Sequence, residues 1–313
     1  MTENKKIDIG ITIAGIKMNT PLVLASGTFG YGFEMPRVAD FRFEDIGAVI
    51  LKSITLKPRI GNKPHRIAET PAGVLNSIGM QNPGVEYVAK YYFPMLKKLP
   101  TKFIANIGGE SADEYVEVAR IIAESDAIEA IELNISCPNV KDGCAIGVNP
   151  QDAFALVSAV KAVCKKPIIV KLTPGVTDIK SIAESCIAAK ADALSVGNTY
   201  TGMVIDTRTR RPVLGNNYGG LSGPAIRPLT VCNVHKVRQA IGETSIPIIA
   251  FGGVSNANDA VEVMLAGAEA VGVGTALFAN THVCSKIADG LRAYLKSQNE
   301  TNIADIVGTV KLN

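Results

Sequence analysis

Eight short apolar runs punctuate this chain, and most stretches between them carry a helical repeat. The runs are Leu22–Ala25, Ala48–Leu51, Phe103–Ile107, Ala130–Leu133, Ile168–Leu172, Ala193–Val196, Pro247–Ala250 and Ala270–Val273. Most are unbroken Val, Ile, Leu and Ala, the pattern of parallel strands buried on both faces. Helical patterns span Ala112–Ser125, Pro150–Cys164, Ile179–Ala189, Pro228–Ile241 and Asn258–Ala266. Several open at Ser, Asp or Asn and stop before Gly, as capped helices do. Eight such alternations in a chain of 313 residues suit an α/β fold closed as a (β/α)8 TIM barrel. An open doubly wound sheet is the weaker reading, because no G-x-G-x-x-G follows the first run. Three pieces exceed the minimal barrel. Ile7–Lys17 alternates around Ala14-Gly15 and reads as an N-terminal hairpin closing the bottom of the barrel. Ser53–Pro83 and Thr199–Pro224 are long insertions after strands 2 and 6, the length at which loops become binding loops or lids. With no internal repeat or linker, residues 1–313 read as a single domain.

Composition narrows the function. A net charge of +3 is slight and dispersed, which argues against nucleic acid or an anionic membrane as partner. Met1–Gly10 carries Lys5 and Lys6 but no apolar run behind them, so no signal peptide is expected. No charge-free stretch is long enough for a bilayer. Cys137, Cys144, Cys164, Cys186, Cys232 and Cys284 are scattered without a C-x-x-C pair, so neither zinc nor an iron–sulfur cluster is expected on this chain. Reduced thiols without an export signal point to the cytoplasm.

In a barrel the chemistry gathers at the C-terminal rim. The residues at or just past the strand ends are Ser26-Gly27, Lys52-Ser53, Asn106, Asn134, Lys171, Gly197-Asn198-Thr199, Gly252-Gly253 and Gly274-Thr275. Lysines, amides, hydroxyls and glycines fill the rim, and none of these residues is acidic. Such a rim suits an anionic ligand rich in hydrogen-bonding groups. The glycine turns after the last two strands offer free backbone amides, the usual phosphate seat of such barrels, and Gly219–Gly223 adds more from the sixth loop. Lys52 and Lys171 follow apolar strands directly, which aims their ammonium groups into the rim rather than out to water. A lysine beside a flavin stabilises the charge of the reduced ring, and another pairs with a substrate carboxylate.

Strand 4 runs into Asn134-Ile135-Ser136-Cys137-Pro138-Asn139. Amides there can read a flat polar ring by paired hydrogen bonds, and the thiol of Cys137 can move a proton. A free thiol has a pKa of roughly 8.5, so as a base it works best on the alkaline side. His65, His235 and His282 all lie elsewhere in the sequence. The stretch Lys141–Gly147 reads equally as a lid or a solvated loop, and Arg208, Arg210 and Arg211 read as a solvated loop, with docking of an acidic partner as the alternative.

Asn134–Asn139, Asn76-Ser77-Ile78-Gly79-Met80-Gln81-Asn82-Pro83-Gly84, Gly220-Leu221-Ser222-Gly223-Pro224 and the glycine pairs together resemble the class 1 dihydroorotate dehydrogenases. The match runs over nearly the whole length. Asn134–Lys141 and Ala25-Ser26-Gly27-Thr28-Phe29-Gly30 look most like the class 1B (NAD+) catalytic subunit. The resemblance implies flavin-dependent oxidation of dihydroorotate to orotate in pyrimidine biosynthesis. It implies FMN in this chain, with FAD and a [2Fe-2S] cluster on a partner subunit, two copies of each, passing electrons to NAD+. Cys137 would take the C5 proton while hydride leaves C6 for flavin N5, with Lys52 assisting. Lys52, Asn76, Ile78, Gly79, Met80, Asn134, Asn139, Asn198 and Thr199 would line the substrate site. Ser26, Lys52, Ser53, Asn106, Asn134, Lys171, Gly197, Gly223, Gly252, Gly253, Gly274 and Thr275 would hold FMN. Two positions depart from the family pattern: Gly197, where a bulkier aliphatic is usual, and Cys144, where glycine is. The rival readings are a self-sufficient class 1A dimer reducing fumarate, a tRNA dihydrouridine synthase, and a phosphate-binding barrel without catalysis. The second of these needs a basic face and an added helical domain, which this sequence lacks.

Overall fold

The computed structural model describes residues 7–38, 40–136, 146–242, 244 and 246–313. Its eight barrel strands, labelled here β1 to β8, are Leu22–Leu24, Ala48–Ile50, Lys102–Ile107, Ala130–Asn134, Ile168–Leu172, Ala193–Val196, Ile248–Phe251 and Ala270–Val273. All are parallel, and β8 pairs with β1 to close the cylinder, with Val271 opposite Leu22. Every run expected from the sequence is therefore a barrel strand.

Alternation along the strands builds two cores. Val23, Ala48, Ile50, Ile104, Ala130, Ile169, Ala193, Ile249 and Ala270 point inward as one cluster. Their neighbours Leu22, Leu24, Val49, Phe103, Ile131, Val170, Leu194 and Val271 point outward into a cluster shared with the helices. Both sets are apolar, which is why the runs show no period of two in the sequence. The hairpin Ile11–Ile13 with Ile16–Met18 packs Ile13, Ile16 and Met18 onto the inner cluster, at the strands' N-terminal ends. Ala14 and Gly15, both at positive φ (49° and 82°), make its tight turn.

Helices Ala112–Ala123, Pro150–Val163, Ile179–Ala188, Arg227–Ile241 and Ala257–Leu265 match the sequence patterns to within two residues at each end. Ser111, Asn149, Asp178 and Asn256 cap four of them through side-chain oxygens. The β1–β2 crossover departs from the simple alternation, with only a turn of helix at Met35–Val38 and a 3-10 turn at Phe43–Asp45. There Phe29, Phe41 and Phe43 stack on one another and cover the barrel wall that a helix covers elsewhere. Among the described residues no helix is long and apolar enough to cross a membrane.

The two insertions meet. Ile67–Thr70 and Gly73–Asn76, from the loop after β2, pair with Gly219–Ser222 and Tyr200–Gly202 from the loop after β6. The result is one four-stranded antiparallel sheet standing over the C-terminal rim.

Candidate active site

A cavity of about 970 Å³ opens between the barrel rim and that sheet. Of the site residues expected from the sequence, Ser26, Lys52, Ser53, Asn76, Ile78, Gly79, Met80, Asn134, Lys171, Gly197, Asn198, Thr199, Gly223, Gly252, Gly253, Gly274 and Thr275 all line it. Asn106 does not reach the cavity surface: it is wholly buried, and its Oδ1 accepts the Ser53 hydroxyl at 2.5 Å. Its place at the rim is taken by Ser53. Cys137 and Asn139 lie outside the described residues, as do five of the seven positions of the Lys141–Gly147 stretch.

The polar floor comes from strand ends. Lys171, on β5, is 7% exposed, and its Nζ stands 5.0 Å from the centre of the Phe251 ring on β7. That is the range of a cation–π contact. Lys52 lies two residues past β2, and burial pulls its pKa below the usual lysine value; Glu34 opposes that shift and Arg66 adds to it. Neither ammonium forms an ion pair among the described residues. The sequence reading of no acidic residue at the rim is qualified by Glu34, which acts on Lys52 from the β1–β2 crossover, and by Glu132 on the inner face of β4.

Asn134 is held from two sides. Its backbone carbonyl accepts Tyr115 OH at 2.6 Å, and its Oδ1 accepts Nδ2 of Asn198 at 3.1 Å. Asn198 Oδ1 in turn accepts the Thr199 backbone N–H at 2.8 Å. Opposite, the amide of Asn76 donates to Gly220 O at 3.3 Å across the insertion sheet. Gly79 and Met80 both take positive φ, which turns the 77–80 backbone toward the cavity. A Cβ on Gly79 would stand 2.7 Å from Asn62, so glycine alone fits this turn.

At the other end the cavity is lined by backbone. Gly223, Gly252 and Gly253 sit at φ 98°, 141° and 78°. A Cβ on Gly252 would collide with Thr230 Oγ1, and one on Gly253 would meet the Arg227 backbone at 2.8 Å. Thr275 Oγ1 donates to Ser222 Oγ at 2.8 Å, tying the rim of β8 to the insertion sheet. This bare cradle fits a phosphate, and the lysines, amides and hydroxyl at the other end fit a flat, electron-accepting ring. The residues present thus fit FMN: the glycine cradle would hold its phosphate, and Lys171, Asn134 and Ser53 would face its ring. Sequence reasoning gave no role to Tyr115, which holds the Asn134 carbonyl, to the Phe251 ring beside Lys171, or to Glu132, which lies beneath the cavity behind Asn106. Their signal is parity: Glu132 shares its strand face with Asn134.

The family model for dihydroorotate dehydrogenase matches residues 9–295. The chain belongs to the dihydroorotate dehydrogenase family. It is 47% identical over 308 residues to a protein of Desulforamulus reducens, covering 98% of this chain and all of that one. It is 45% identical to one from Bacillus pumilus, over 96% of both chains, and 44% identical to one from Geotalea uraniireducens, over 97% and 99%. All three are named dihydroorotate dehydrogenase B (NAD(+)), catalytic subunit. Members of the dihydroorotate dehydrogenase family are oxidoreductases, and the polar, lysine-floored cavity of this chain lies within the matched span.

Proposed function

We propose that this chain oxidises (S)-dihydroorotate to orotate in pyrimidine biosynthesis, with FMN as its resident cofactor. Two lysines without ion pairs among the described residues, opening into a cavity rimmed by amides at one end and bare glycine at the other, carry the reading. Such ammonium groups are costly to bury unless an anion joins them. Dihydroorotate brings a carboxylate, and FMN a phosphate and a ring that becomes anionic on reduction.

In this reading Lys52 pairs with the substrate carboxylate. Asn76, Asn134, Asn198, Thr199 and Asn139 hold the flat ring by its amide edges, and the Ile78–Met80 backbone closes around it. The thiolate of Cys137 takes the C5 proton as the C6–H bond gives up its electron pair. Bound FMN supplies the two-electron acceptor for that hydride. Ser26, Gly223, Gly252, Gly253, Gly274 and Thr275 seat the phosphate and ribityl chain, with Ser53, Lys171 and Gly197 by the ring and Asn106 behind Ser53. The names of the relatives support a partner subunit. We assign to it FAD and a [2Fe-2S] cluster that deliver electrons to NAD+, in an assembly of two copies of each chain. Residues 1–313 act as a single domain.

Anaerobic titration of the purified yellow protein tests this. Dihydroorotate is expected to bleach the flavin, NAD+ to restore colour only once the iron–sulfur subunit is added, and fumarate to leave it bleached. No bleaching overturns the reading. Recovery with fumarate alone replaces the partner-dependent enzyme with a self-sufficient one.

A further inference from the structure

A chain of hydrogen bonds crosses the barrel interior beneath the cavity. Glu132, in the middle of β4, is wholly buried. Its Oε1 accepts the Ser195 hydroxyl from β6 at 2.6 Å, and its Oε2 accepts Nδ2 of Asn106 from β3 at 2.5 Å. Asn106 is wholly buried too, and its Oδ1 accepts the Ser53 hydroxyl at 2.5 Å. Of these four side chains only Ser53 lines the cavity.

The chemistry of each group fixes that of the next. A carboxylate has lone pairs and no hydrogen to give. Asn106 must therefore turn its NH2 toward Glu132 and its carbonyl toward Ser53. A carbonyl only accepts, so the single hydroxyl hydrogen of Ser53 is spent on it, and Ser53 shows its lone pairs to the cavity. We propose that Glu132 is a positioning residue that sets the sense of this chain, so that Ser53 meets the bound ring as an acceptor and recognises an imide N–H. A glutamine of the same size would let the Asn106 amide turn over and Ser53 offer its hydrogen instead. A buried carboxylate is costly. What it supplies over an amide is a fixed direction. The inference rests on the flavin reading for the identity of the ring, since a flavin carries such an imide.

The test uses apoprotein of the parent, Glu132→Gln, Asn106→Asp and the double variant. Two quantities are read: the urea midpoint without ligand, and FMN affinity from quenching of flavin fluorescence. Glu132→Gln should weaken FMN binding about tenfold, the worth of one hydrogen bond. Asn106→Asp alone sets two carboxylates face to face and should lower the urea midpoint. In the double variant the carboxamide now at position 132 still accepts the Ser195 hydroxyl through its carbonyl. Its NH2 donates to the carboxylate now at position 106, whose second oxygen accepts Ser53. The original sense returns, so FMN affinity should recover to within about threefold of the parent, and the midpoint should exceed that of either single variant. On a Ser53→Ala background, Glu132→Gln should weaken FMN no further. A double variant no better than the worse single one, or a second full tenfold loss on the Ser53→Ala background, overturns the proposal. If Glu132→Gln alone does not fold, a double variant that folds and binds FMN supports it, and one that does not overturns it. A parent that fails to bind FMN defeats the flavin reading, while the urea midpoints still decide the sense of the chain.

Discussion

Lys52 carries an ammonium group whose burial costs the fold, and the proposed site would give it an anionic partner. Burial is the main cause of its lowered pKa, ahead of the opposing field of Glu34 and the added push of Arg66. Its folded value lies below the unfolded one, so between the two the unfolded chain holds more protons and stability rises with pH. Lys52→Met should therefore raise the urea midpoint of the apoprotein at pH 7 and abolish its rise with pH just below the ordinary lysine value of 10.5. Turnover of dihydroorotate should fall at least about 100-fold, the scale of losing one charge-stabilising group. A lower midpoint would make Lys52 a structural residue. In the proposed reaction Cys137 is the base, an assignment that rests on its neighbours in the sequence. Cys137→Ser should keep FMN binding and lose most turnover near neutral pH, because a hydroxyl gives up its proton far less readily than a thiol. Stopped-flow bleaching of bound FMN by dihydroorotate reads this directly, and an unchanged rate removes the thiol from the reaction.

At the scale of elements, the strands were readable because both of their faces are apolar, and the helices because their caps and repeats agree. What resisted reading was contact across long separations. The pairing of Asn76 with Gly220 joins residues 144 apart, and nothing local in either insertion announces the other. Glu132 was hidden differently: it lies within the run Ala130–Leu133 read as a strand, and only its parity with Ala130 and Asn134 marks it as inward. Glycine roles were also mixed. A Cβ at Gly272 on β8 would run into the Phe251 ring of β7, whereas at Gly197 the nearest atoms are 3.7 Å away. Gly272→Ala should thus cost about 1–3 kcal/mol of stability, as overpacking does. It should also weaken FMN binding, because the ring it displaces is the one beside Lys171. Gly197→Ala should leave apoprotein stability within about 0.5 kcal/mol of the parent. Urea unfolding of both apoproteins separates the two, and equal effects would mean that space at these positions does not govern packing.

For the molecule as a whole, the question is whether the wall of the barrel yields as one unit. Three buried thiols report on it from three places along the chain. Cys164 ends the helix between β4 and β5, Cys186 lies in the one between β5 and β6, and Cys284 in the helix Val283–Gln298 that follows β8. Burial pushes the thiols of Cys186 and Cys284 up to about 12 and raises that of Cys164 as well. At pH 8 these three thus hold their protons in the folded protein and resist alkylation, while Cys232 is exposed and reacts. Unfolding returns each toward roughly 8.5, where a good fraction is thiolate. A closed cylinder has no free edge from which to peel, and each wall helix packs on the next around it. The three thiols should accordingly become reactive at the same urea concentration, as followed by mass spectrometry of alkylated peptides. Staggered midpoints, with Cys284 yielding before Cys164, would instead divide residues 1–313 into separately unfolding parts, with the glycine cradle after β7 and β8 on the part that opens first.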